Sequence, residues 1–291
     1  MVMMAGAVQG AQAADYPDDA PILRGSFRDG LSTPRPRNWS GYYAGGQVGY
    51  SSANVDFSNA QSGMTSFLLR NTVEATFVPQ WSLFGKNDIQ ATSFGGFIGR
   101  NWQWSDAVLG VEVNYNHFSN LRASTSNSMG RSVTNPPAAN PPTGHSYTYD
   151  VALAGSAAVQ VHDVMTFRAR AAWSAGNFLP YMFGGLAVGR MDSFRSVTIN
   201  EQRHDDYFVD QVVGGVTISV PQRDTVTYAP IGQTESRNNN FVAGYTAGLG
   251  TEMMLFGNVF GRVEWEYVKF LKIKDISIAT NTVRAGLGYK F

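Results

Sequence analysis

The side chains best placed for catalysis are a histidine and three aspartates that lie close together in the sequence. His204, Asp205 and Asp206 are consecutive, and Asp210 follows four residues later. Histidine beside carboxylates is a combination used in general acid–base catalysis. No partner accompanies the group at a recognisable spacing, so solvated loop charges are the simpler interpretation, with catalysis and loop-borne cation binding as alternatives. We therefore expect a protein that is not an enzyme.

The rest of the chain offers little further chemistry. The whole chain contains four histidines, His117, His145, His162 and His204, and no cysteine, which excludes disulfides, thiolate zinc sites and cysteine nucleophiles. No phosphate-binding loop or zinc signature occurs, so we expect neither a cofactor nor a metal. The 22 basic residues balance the 22 acidic residues, and a nucleic-acid partner is disfavoured because no basic field would hold its backbone.

The composition points towards a membrane β-barrel. Charged residues make up 15% of the chain, against about a quarter in an ordinary soluble domain. The longest nearly apolar stretch covers residues 178–189 and contains Pro180, which is shorter than the roughly 20 residues of a spanning helix. High glycine, many aromatics and low charge without such a helix are typical of outer-membrane barrels.

Apolar residues recur with period two from Trp39 onward, which places successive side chains on opposite faces of β-strands. In the first segment Tyr42, Val48 and Tyr50 share one face, while Tyr43 and Gln47 lie on the other. Seven later segments alternate in the same way. The side chains predicted to face outward in these include Phe94 and Ile98; Leu109, Val111 and Tyr115; Met165, Phe167 and Trp173; Leu179, Tyr181, Phe183 and Ala187; Phe241, Tyr245 and Leu249; Val263, Trp265 and Tyr267; and Val283, Leu287, Tyr289 and Phe291.

Eight strands of this kind are joined by short and long connections in alternation. Short turns are predicted at 105–106, 174–177 and 256–258, and longer connections at about 53–89, 120–150 and 191–239, with a short fourth one at 272–275. The pattern predicts an all-β fold, an eight-stranded antiparallel up-and-down transmembrane barrel with long extracellular loops. A β-sandwich is the alternative. Val212–Val220 could continue a hairpin above the membrane.

Charged residues in the strands fall on the face opposite the apolar one. Because an arginine or lysine facing lipid at mid-depth costs about 2 to 4 kcal/mol, this face must be the barrel interior. An eight-stranded barrel is just filled by its side chains, so we expect these charges to pair with one another; a charged constriction that selects ions is the alternative. The predicted interior network consists of Glu112, Arg168, Arg170, Glu252, Arg262, Glu264, Glu266 and Arg284.

The amino-terminal region divides into two segments ahead of the barrel, which we assign to residues 39–291. Residues 1–13 are predicted to be a truncated signal peptide, because a short apolar run precedes the small-x-small triplet Ala11-Gln12-Ala13. Residues 14–38 contain four prolines without a hydrophobic period, which favours an extended segment in the periplasm.

Seven short sequences from residue 38 to the last residue carry a family resemblance. They are NWSGYYAGGQVGY (38–50), LGVE (109–112), FRAR (167–170), LPY (179–181) with GGLA (184–187), GYTAG (244–248), RVEWEY (262–267) and VRAGLGYKF (283–291). In this order and spacing, the chain resembles the small outer-membrane β-barrel proteins of alphaproteobacteria, a porin-family group of surface antigens. The resemblance implies a location in the outer membrane of a Gram-negative bacterium.

The resemblance also carries residue roles and partners. It implies that Phe291, with Tyr289, forms the signal for the barrel-assembly machinery. It implies that Asp15, in a mature terminus that begins Ala14-Asp15, could be joined to peptidoglycan, with a plain processed terminus as the alternative. Some relatives capture heme, for which His145 or His204 would be the candidates.

These observations predict a barrel that serves envelope integrity and is exposed at the cell surface, surrounded by outer-membrane lipid and lipopolysaccharide. A small-solute porin is the first alternative. A surface receptor for heme or another ligand, or for adhesion, is the second.

Overall fold

The computed structural model describes residues 37–291, and the predicted signal peptide, most of the 14–38 segment and Asp15 lie outside them. The described chain forms antiparallel strands, one short helix and two 3-10 turns at 73–76 and 78–80. No helix in this part of the chain is long and apolar enough to cross a membrane. The elements are β1 (Gly41–Asp56), α1 (Ser62–Leu68), β2 (Lys86–Trp104), β3 (Ala107–Thr134), β4 (His145–Trp173), β5 (Phe178–Val213), β6 (Val216–Thr227), β7 (Ile231–Phe256), β8 (Val259–Phe270) and β9 (Ser277–Lys290).

Eight of the strands close into a ring. Each pairs with the next of the eight along the chain, so that β5 pairs with β7 and β6 is left out. The last strand, β9, pairs with β1 from Tyr43↔Lys290 to Asp56↔Ser277 and closes the ring. Strand β6 pairs with β5 alone and stands outside the ring. The predicted all-β, eight-stranded antiparallel barrel is therefore confirmed.

The connections at one end of the barrel are short, as predicted at 105–106, 174–177 and 256–258. The three long connections at the other end are shorter than predicted, because the strands continue into them: β3 reaches Thr134, β4 begins at His145, and β5 runs on to Val213. The short fourth connection covers residues 271–276, close to its predicted position. The predicted hairpin around Val212–Val220 is present. Its two-residue turn, Gly214-Gly215, has φ values of +62° and +85°, which glycine adopts without strain.

The outer surface of the lower barrel is an apolar belt. On β4 it extends from Asp163 to Trp173, which corresponds to a height of about 25 Å for a strand tilted as in barrels of this size. That height matches the hydrocarbon band of an outer membrane. Exposed members of the belt include Tyr42, Val48, Tyr50, Phe94, Ile98, Leu109, Val111, Phe167, Trp173, Met182, Leu186, Phe241, Leu249, Val263, Val283 and Leu287.

In the lower part of β5, the inward-facing and outward-facing residues are the reverse of those predicted. Leu179, Tyr181, Phe183 and Ala187 were expected to face outward, but they are buried inside the barrel. The belt positions on this strand are taken by Met182 and Leu186 and their neighbours. The prediction was wrong because both faces of this part of β5 are apolar, so that alternation alone cannot distinguish them.

Register shifts divide the barrel into two sections. They occur in β3 between His117 and Leu121, in β4 between Val161 and Asp163, and where β5 pairs with β7 between Met191 and Ser193. These bulges lie on adjacent strands at the same height. Around a large part of the wall, the alternation of inward-facing and outward-facing residues is therefore shifted by one position there. We call the part nearer the short turns the lower section and the rest the upper section.

The upper section has an apolar core closed by a plug, which we define as residues 57–85 of the β1–β2 connection. Phe57, Met64, Trp81 and Phe84 of the plug are buried against inward side chains of the wall. The hydrophobic effect holds the plug in place, because fully burying a side chain of this size contributes about 1.5 to 3 kcal/mol. The wall residues of this core include Leu121, Val151, Leu153, Val159, Met191, Val197, Ile199, Phe270 and Ile278.

Candidate functional site: the filled interior

The eight charged residues predicted to line the interior all lie inside the lower section. The strand register places Glu112 opposite Arg168, Glu252 opposite Arg262, and Glu264 opposite Arg284. Opposite charges directly across an antiparallel pair stabilise the register. Each of the eight residues, Glu112, Arg168, Arg170, Glu252, Arg262, Glu264, Glu266 and Arg284, is at most 5% exposed.

Arg262 is the centre of one half of the network. Its guanidinium donates two hydrogen bonds to the Glu112 carboxylate, from Nη1 to Oε1 at 3.1 Å and from Nη2 to Oε2 at 2.6 Å. Nη2 also lies 2.6 Å from Oε1 of Glu252, which accepts a 2.8 Å hydrogen bond from Nη1 of Arg170. Bidentate pairing of this kind is the strongest geometry available to arginine and a carboxylate.

The other half is built around Glu264. Arg168 donates to it from Nη1 to Oε1 at 2.6 Å, and Nε of Arg284 lies 3.6 Å from the same oxygen. Arg284 pairs in turn with Glu266. Nη2 of Arg168 lies 3.2 Å from Oε1 of Glu112 and so links this half to the first. The eight side chains form one network of four cations and four anions.

Aromatic rings surround the arginines; Tyr43 was predicted to lie on this face, whereas Tyr181 was not. The guanidinium of Arg262 lies 3.8 Å from the ring centroid of Phe97, and that of Arg170 lies 4.0 Å from the centroid of Tyr181. Cation–π contacts of buried arginine are worth about 2 kcal/mol. The hydroxyl of Tyr181 donates to Oε2 of Glu264 at 2.8 Å, and that of Tyr43 donates to Oε2 of Glu112 at 2.9 Å.

Glycines on the inner face make room for these rings. A Cβ atom on Gly45 would lie 2.4 Å from the ring of Phe97, and one on Gly248 would lie 2.4 Å from the ring of Phe183. Both distances are too short for any larger residue. An inward glycine on one strand facing an aromatic on the next was the signal in the sequence that could have revealed the rings.

A layer of amides lies next to the ion network. Nε2 of Gln47 donates to Oδ1 of Asn114 at 2.9 Å and to Oδ1 of Asn116 at 2.7 Å. Nη1 of Arg284 donates to Oδ1 of Asn114 at 3.0 Å and so joins the amides to the charges. Because the carboxylates and guanidiniums of the network bind one another, they are poorly placed to take up a solute, and the arrangement is suited to filling and fixing the barrel.

The histidine and aspartates considered for catalysis do not form a joint site. They lie along β5 and bond to separate partners on the two neighbouring strands: on β4, Asp150 lies 3.0 Å from Nε2 of His204 and His145 lies 2.8 Å from Asp205, and on β6, Arg223 donates to Asp206. Asp210 accepts from Ser219 at 2.5 Å. Successive residues of a strand point to opposite faces, which is why neighbours in the sequence are separated here.

The four histidines share one kind of partner. Besides the His145 and His204 pairs, His117 Nδ1 lies 2.7 Å from Asp163, and His162 Nε2 lies 2.8 Å from Asp192. No group of three or more metal-ligating side chains occurs in the described residues.

Tyr289 and Phe291, the residues of the expected assembly signal, lie on the outside of the barrel at the end with the short turns. They are 48% and 73% exposed, and their rings form an edge-to-face contact with centroids 5.3 Å apart. The backbone N–H of Phe291 donates to the carbonyl of Tyr42 at 2.9 Å, which continues the pairing of the last strand with the first.

Comparison with known families identifies this architecture. The model of the outer membrane protein beta-barrel domain matches residues 30–291, nearly all of the chain. The chain belongs to this family. The barrel domain is therefore located in the outer membrane of a Gram-negative bacterium, and the apolar belt is its lipid-facing surface.

A curated relative agrees with this assignment. The 25 kDa outer-membrane immunogenic protein of Brucella ovis is 42% identical over 53 residues, which are 18% of this chain and 24% of the relative. The matched part thus spans less than a quarter of the length of that relative. The expected resemblance to alphaproteobacterial surface antigens is confirmed.

Solved structures similar to the barrel domain include those of three bacterial proteins. The attachment invasion locus protein Ail of Yersinia pestis is 11% identical with a TM-score of 0.31, covering 86% of this chain and 99% of its own. Neisserial surface protein A is 12% identical with a TM-score of 0.30, covering 87% and 98%. The β-barrel domain of OprF from Pseudomonas aeruginosa is 10% identical with a TM-score of 0.31, covering 84% and 97%.

Proposed function

We propose that this protein is a closed outer-membrane barrel that serves envelope integrity and presents its upper section at the cell surface. The proposal rests on the observation that the interior is filled in both the lower and the upper section. Four arginines and four glutamates fill the lower section, and the plug with its apolar core fills the upper section. An eight-stranded ring leaves only enough space for its side chains, so a filled barrel of this size is a structural element of the membrane.

The alternatives have less support. A small-solute porin requires a continuous aqueous path, for which the buried ion pairs and the plug leave little room. An enzyme requires converging side chains, whereas His204 and its neighbouring aspartates bond separately. A heme receptor would use His145 or His204, and each of these side chains already bonds to an aspartate. We therefore propose a non-enzymatic role.

We propose in addition that Asp15 tethers the barrel to peptidoglycan. The first described strand begins at Gly41 at the end with the short turns, which is the periplasmic side in barrels of this class. The 25 residues from 14 to 38 could extend for about 80 Å, which is long enough to reach well away from the membrane. The partners of the protein would then be the lipid and lipopolysaccharide around it, the barrel-assembly machinery, and peptidoglycan.

The test is a strain that lacks the gene, complemented with the full-length protein or with Asp15→Ala. We expect deletion to raise sensitivity to detergents and to large antibiotics, and the full-length protein to restore resistance. Mass spectrometry of the amino-terminal peptide after muramidase digestion should find a muropeptide on the wild-type protein and none on Asp15→Ala. A deletion strain that is as resistant as its parent would refute the envelope role, and a free terminus in the wild type would refute the tether alone.

A further inference from the structure

A cavity of about 520 Å³ lies on the outer wall of the upper section, away from the filled interior. It spans three strands in register, with Gly130 opposite Ala152 and Ala152 opposite Asn200. Its volume is in the range typical of small-molecule sites. Asp150, which lines it, is thirteen residues along β4 from Asp163 at the top of the belt, a distance of about 40 Å along the strand. The cavity therefore faces the space outside the cell.

The cavity has a small floor and polar walls. Gly130 and Ala152 form the floor, because their short side chains leave a depression between longer neighbours. Ser132, Asp150, Asn200 and Gln202 provide polar side chains, and Thr227, Tyr228 and Pro230 also line the cavity.

The polar groups of the cavity differ in how they are held. Asp150 is fixed, because it accepts from the hydroxyl of Ser132 and lies 3.0 Å from Nε2 of His204, whose Nδ1 is 2.8 Å from the hydroxyl of Thr225. The exposed amides of Asn200 and Gln202 have no side-chain hydrogen-bond partner within residues 37–291. Each amide offers two donors and an acceptor that water or a ligand can use.

This arrangement favours an uncharged ligand with many hydroxyl groups. Planar amides and a fixed carboxylate can each bridge two neighbouring hydroxyls of a sugar ring, and Tyr228 and Pro230 provide apolar surface for its C–H face. An anionic ligand is disfavoured by Asp150. The cationic side chain among the lining residues, Arg131, lies 5.3 Å from the ring of Trp81 in the plug and so points inward.

The surrounding wall has the same character. Its outward residues are mostly small and hydroxylated, which distinguishes it from a lipid-facing surface or an apolar protein interface. These residues include Ser124, Ser126, Ser128, Ser156, Ser196, Thr198, Thr234 and Ser236.

We propose that the cavity between β3, β4 and β5 is a binding site for an uncharged sugar residue. This goes beyond the envelope role and does not depend on it. The sugar could belong to the saccharide of the outer-leaflet glycolipid that surrounds the protein, or to a soluble glycan outside the cell. Both share the chemistry described above.

Saturation-transfer difference NMR on the full-length protein in detergent micelles tests the site. The probes are the delipidated oligosaccharide of the producing strain's lipopolysaccharide and the methyl glycosides of glucose, galactose, mannose and N-acetylglucosamine. We expect saturable binding of at least one probe, weakened about tenfold or more in Asn200→Ala/Gln202→Ala, since two hydrogen-bonding side chains are lost. The matched control, Gln160→Ala/Asn238→Ala, removes two amides from a separate depression of the same wall and should bind as the wild type does.

The probes also separate the two sources. Binding of the oligosaccharide without the glycosides would indicate the membrane glycolipid, and binding of the glycosides would indicate a soluble glycan; both support the site. Absence of binding for all probes, or equal binding by Asn200→Ala/Gln202→Ala and the wild type, would overturn the proposal. A heat-dependent shift in gel mobility verifies that each variant is folded.

Discussion

The charged residues of the interior depend on one another more than on any single partner. Arg262 is 2% exposed and contacts both Glu112 and Glu252. Burying a charge is expensive unless it is paired. Removal of one member therefore leaves its partners with one counter-charge fewer, at a depth where water cannot replace it.

Arg262→Met should lower the free energy of unfolding by about 3 to 5 kcal/mol, because Glu112 and Glu252 lose their main cation. Urea unfolding in detergent, followed by tryptophan fluorescence, measures the loss. The double variant Arg262→Met/Glu112→Gln should be less destabilised than the sum of its two single variants, since it removes one of the uncompensated charges. Strict additivity would contradict the network.

A pH-dependent contribution to the free energy of unfolding is expected from the upper section, where Glu201 of β5 faces Glu74 of the plug. Burial, a hydrogen bond with the Glu74 carboxyl and repulsion from that carboxylate raise the pKa of Glu201 to about 8, and Arg203 opposes the shift. Tyr149 and Tyr228 lie beside the pair. Because the folded protein holds this proton and the unfolded chain releases it near pH 4.3, stability should fall as the pH rises from about 4.3 to about 8 and level off above that.

Glu201→Gln should flatten this part of the stability profile, since the amide does not titrate. Unfolding midpoints in urea at several pH values measure the effect. Asp206→Asn is the control: a hydrogen bond from Arg223 lowers the pKa of that carboxyl, so the variant should keep the wild-type slope. An identical slope in Glu201→Gln and the wild type would show that the shared proton has no role in stability.

At the residue scale the sequence was informative wherever lipid imposes a penalty. The eight interior charges could be predicted because none of them can face hydrocarbon. The inward rings of Tyr181 and Phe183 could not be predicted, since an aromatic side chain is as stable in lipid as it is over a buried guanidinium.

At the scale of elements, the strands inside the membrane and those above it follow different rules. The lower strands alternate between lipid and interior, and all eight were predicted. Above the bulges the outward side chains are serines and threonines, as at Ser126 and Ser128, so strand and loop look alike in the sequence. The bulges also reverse the phase between His117 and Leu121, which interrupts any single period.

The plug should contribute to stability through its buried aromatics. Phe57→Ala should cost about 3 to 5 kcal/mol, because Phe57 is fully buried and its removal leaves a cavity. Phe67→Ala is the matched control: Phe67 is 57% exposed on the short helix of the plug, and its removal should cost less than about 0.5 kcal/mol. Equal losses in the two variants, measured by urea unfolding, would mean that the plug does not pack in the barrel.

The β5–β6 hairpin is predicted to be dispensable for folding. Beyond Tyr207 the residues of β5 pair with β6 alone, so the tip has no part in closing the ring. Replacing residues 209–220 by two glycines should leave the melting temperature within about 4 °C of the wild type, which corresponds to less than 1 kcal/mol. A larger drop in the thermal transition, followed by circular dichroism, would show that the hairpin supports the barrel.

At the scale of the whole molecule, the ion network of the lower section and the plug of the upper section give a barrel whose stability does not rely on one kind of interaction. The ion network and its aromatic rings stabilise the part inside the membrane, where water cannot hydrate an unpaired charge. The apolar core and plug fix the part outside, where the hydrophobic effect operates. The location in the outer membrane and the ring of eight strands followed from the sequence, whereas the plug did not, because its residues have no strand period.

Single-channel recording in planar lipid bilayers tests most directly whether this barrel, filled in both sections, is closed. The wild-type protein, purified and refolded, should show no steady conductance, and neither Glu264→Gln nor Arg262→Gln should create an ion-selective one. Discrete, ohmic openings of the wild type, with a selectivity that changes when Glu264 or Arg262 is neutralised, would contradict the account and identify the protein as a porin.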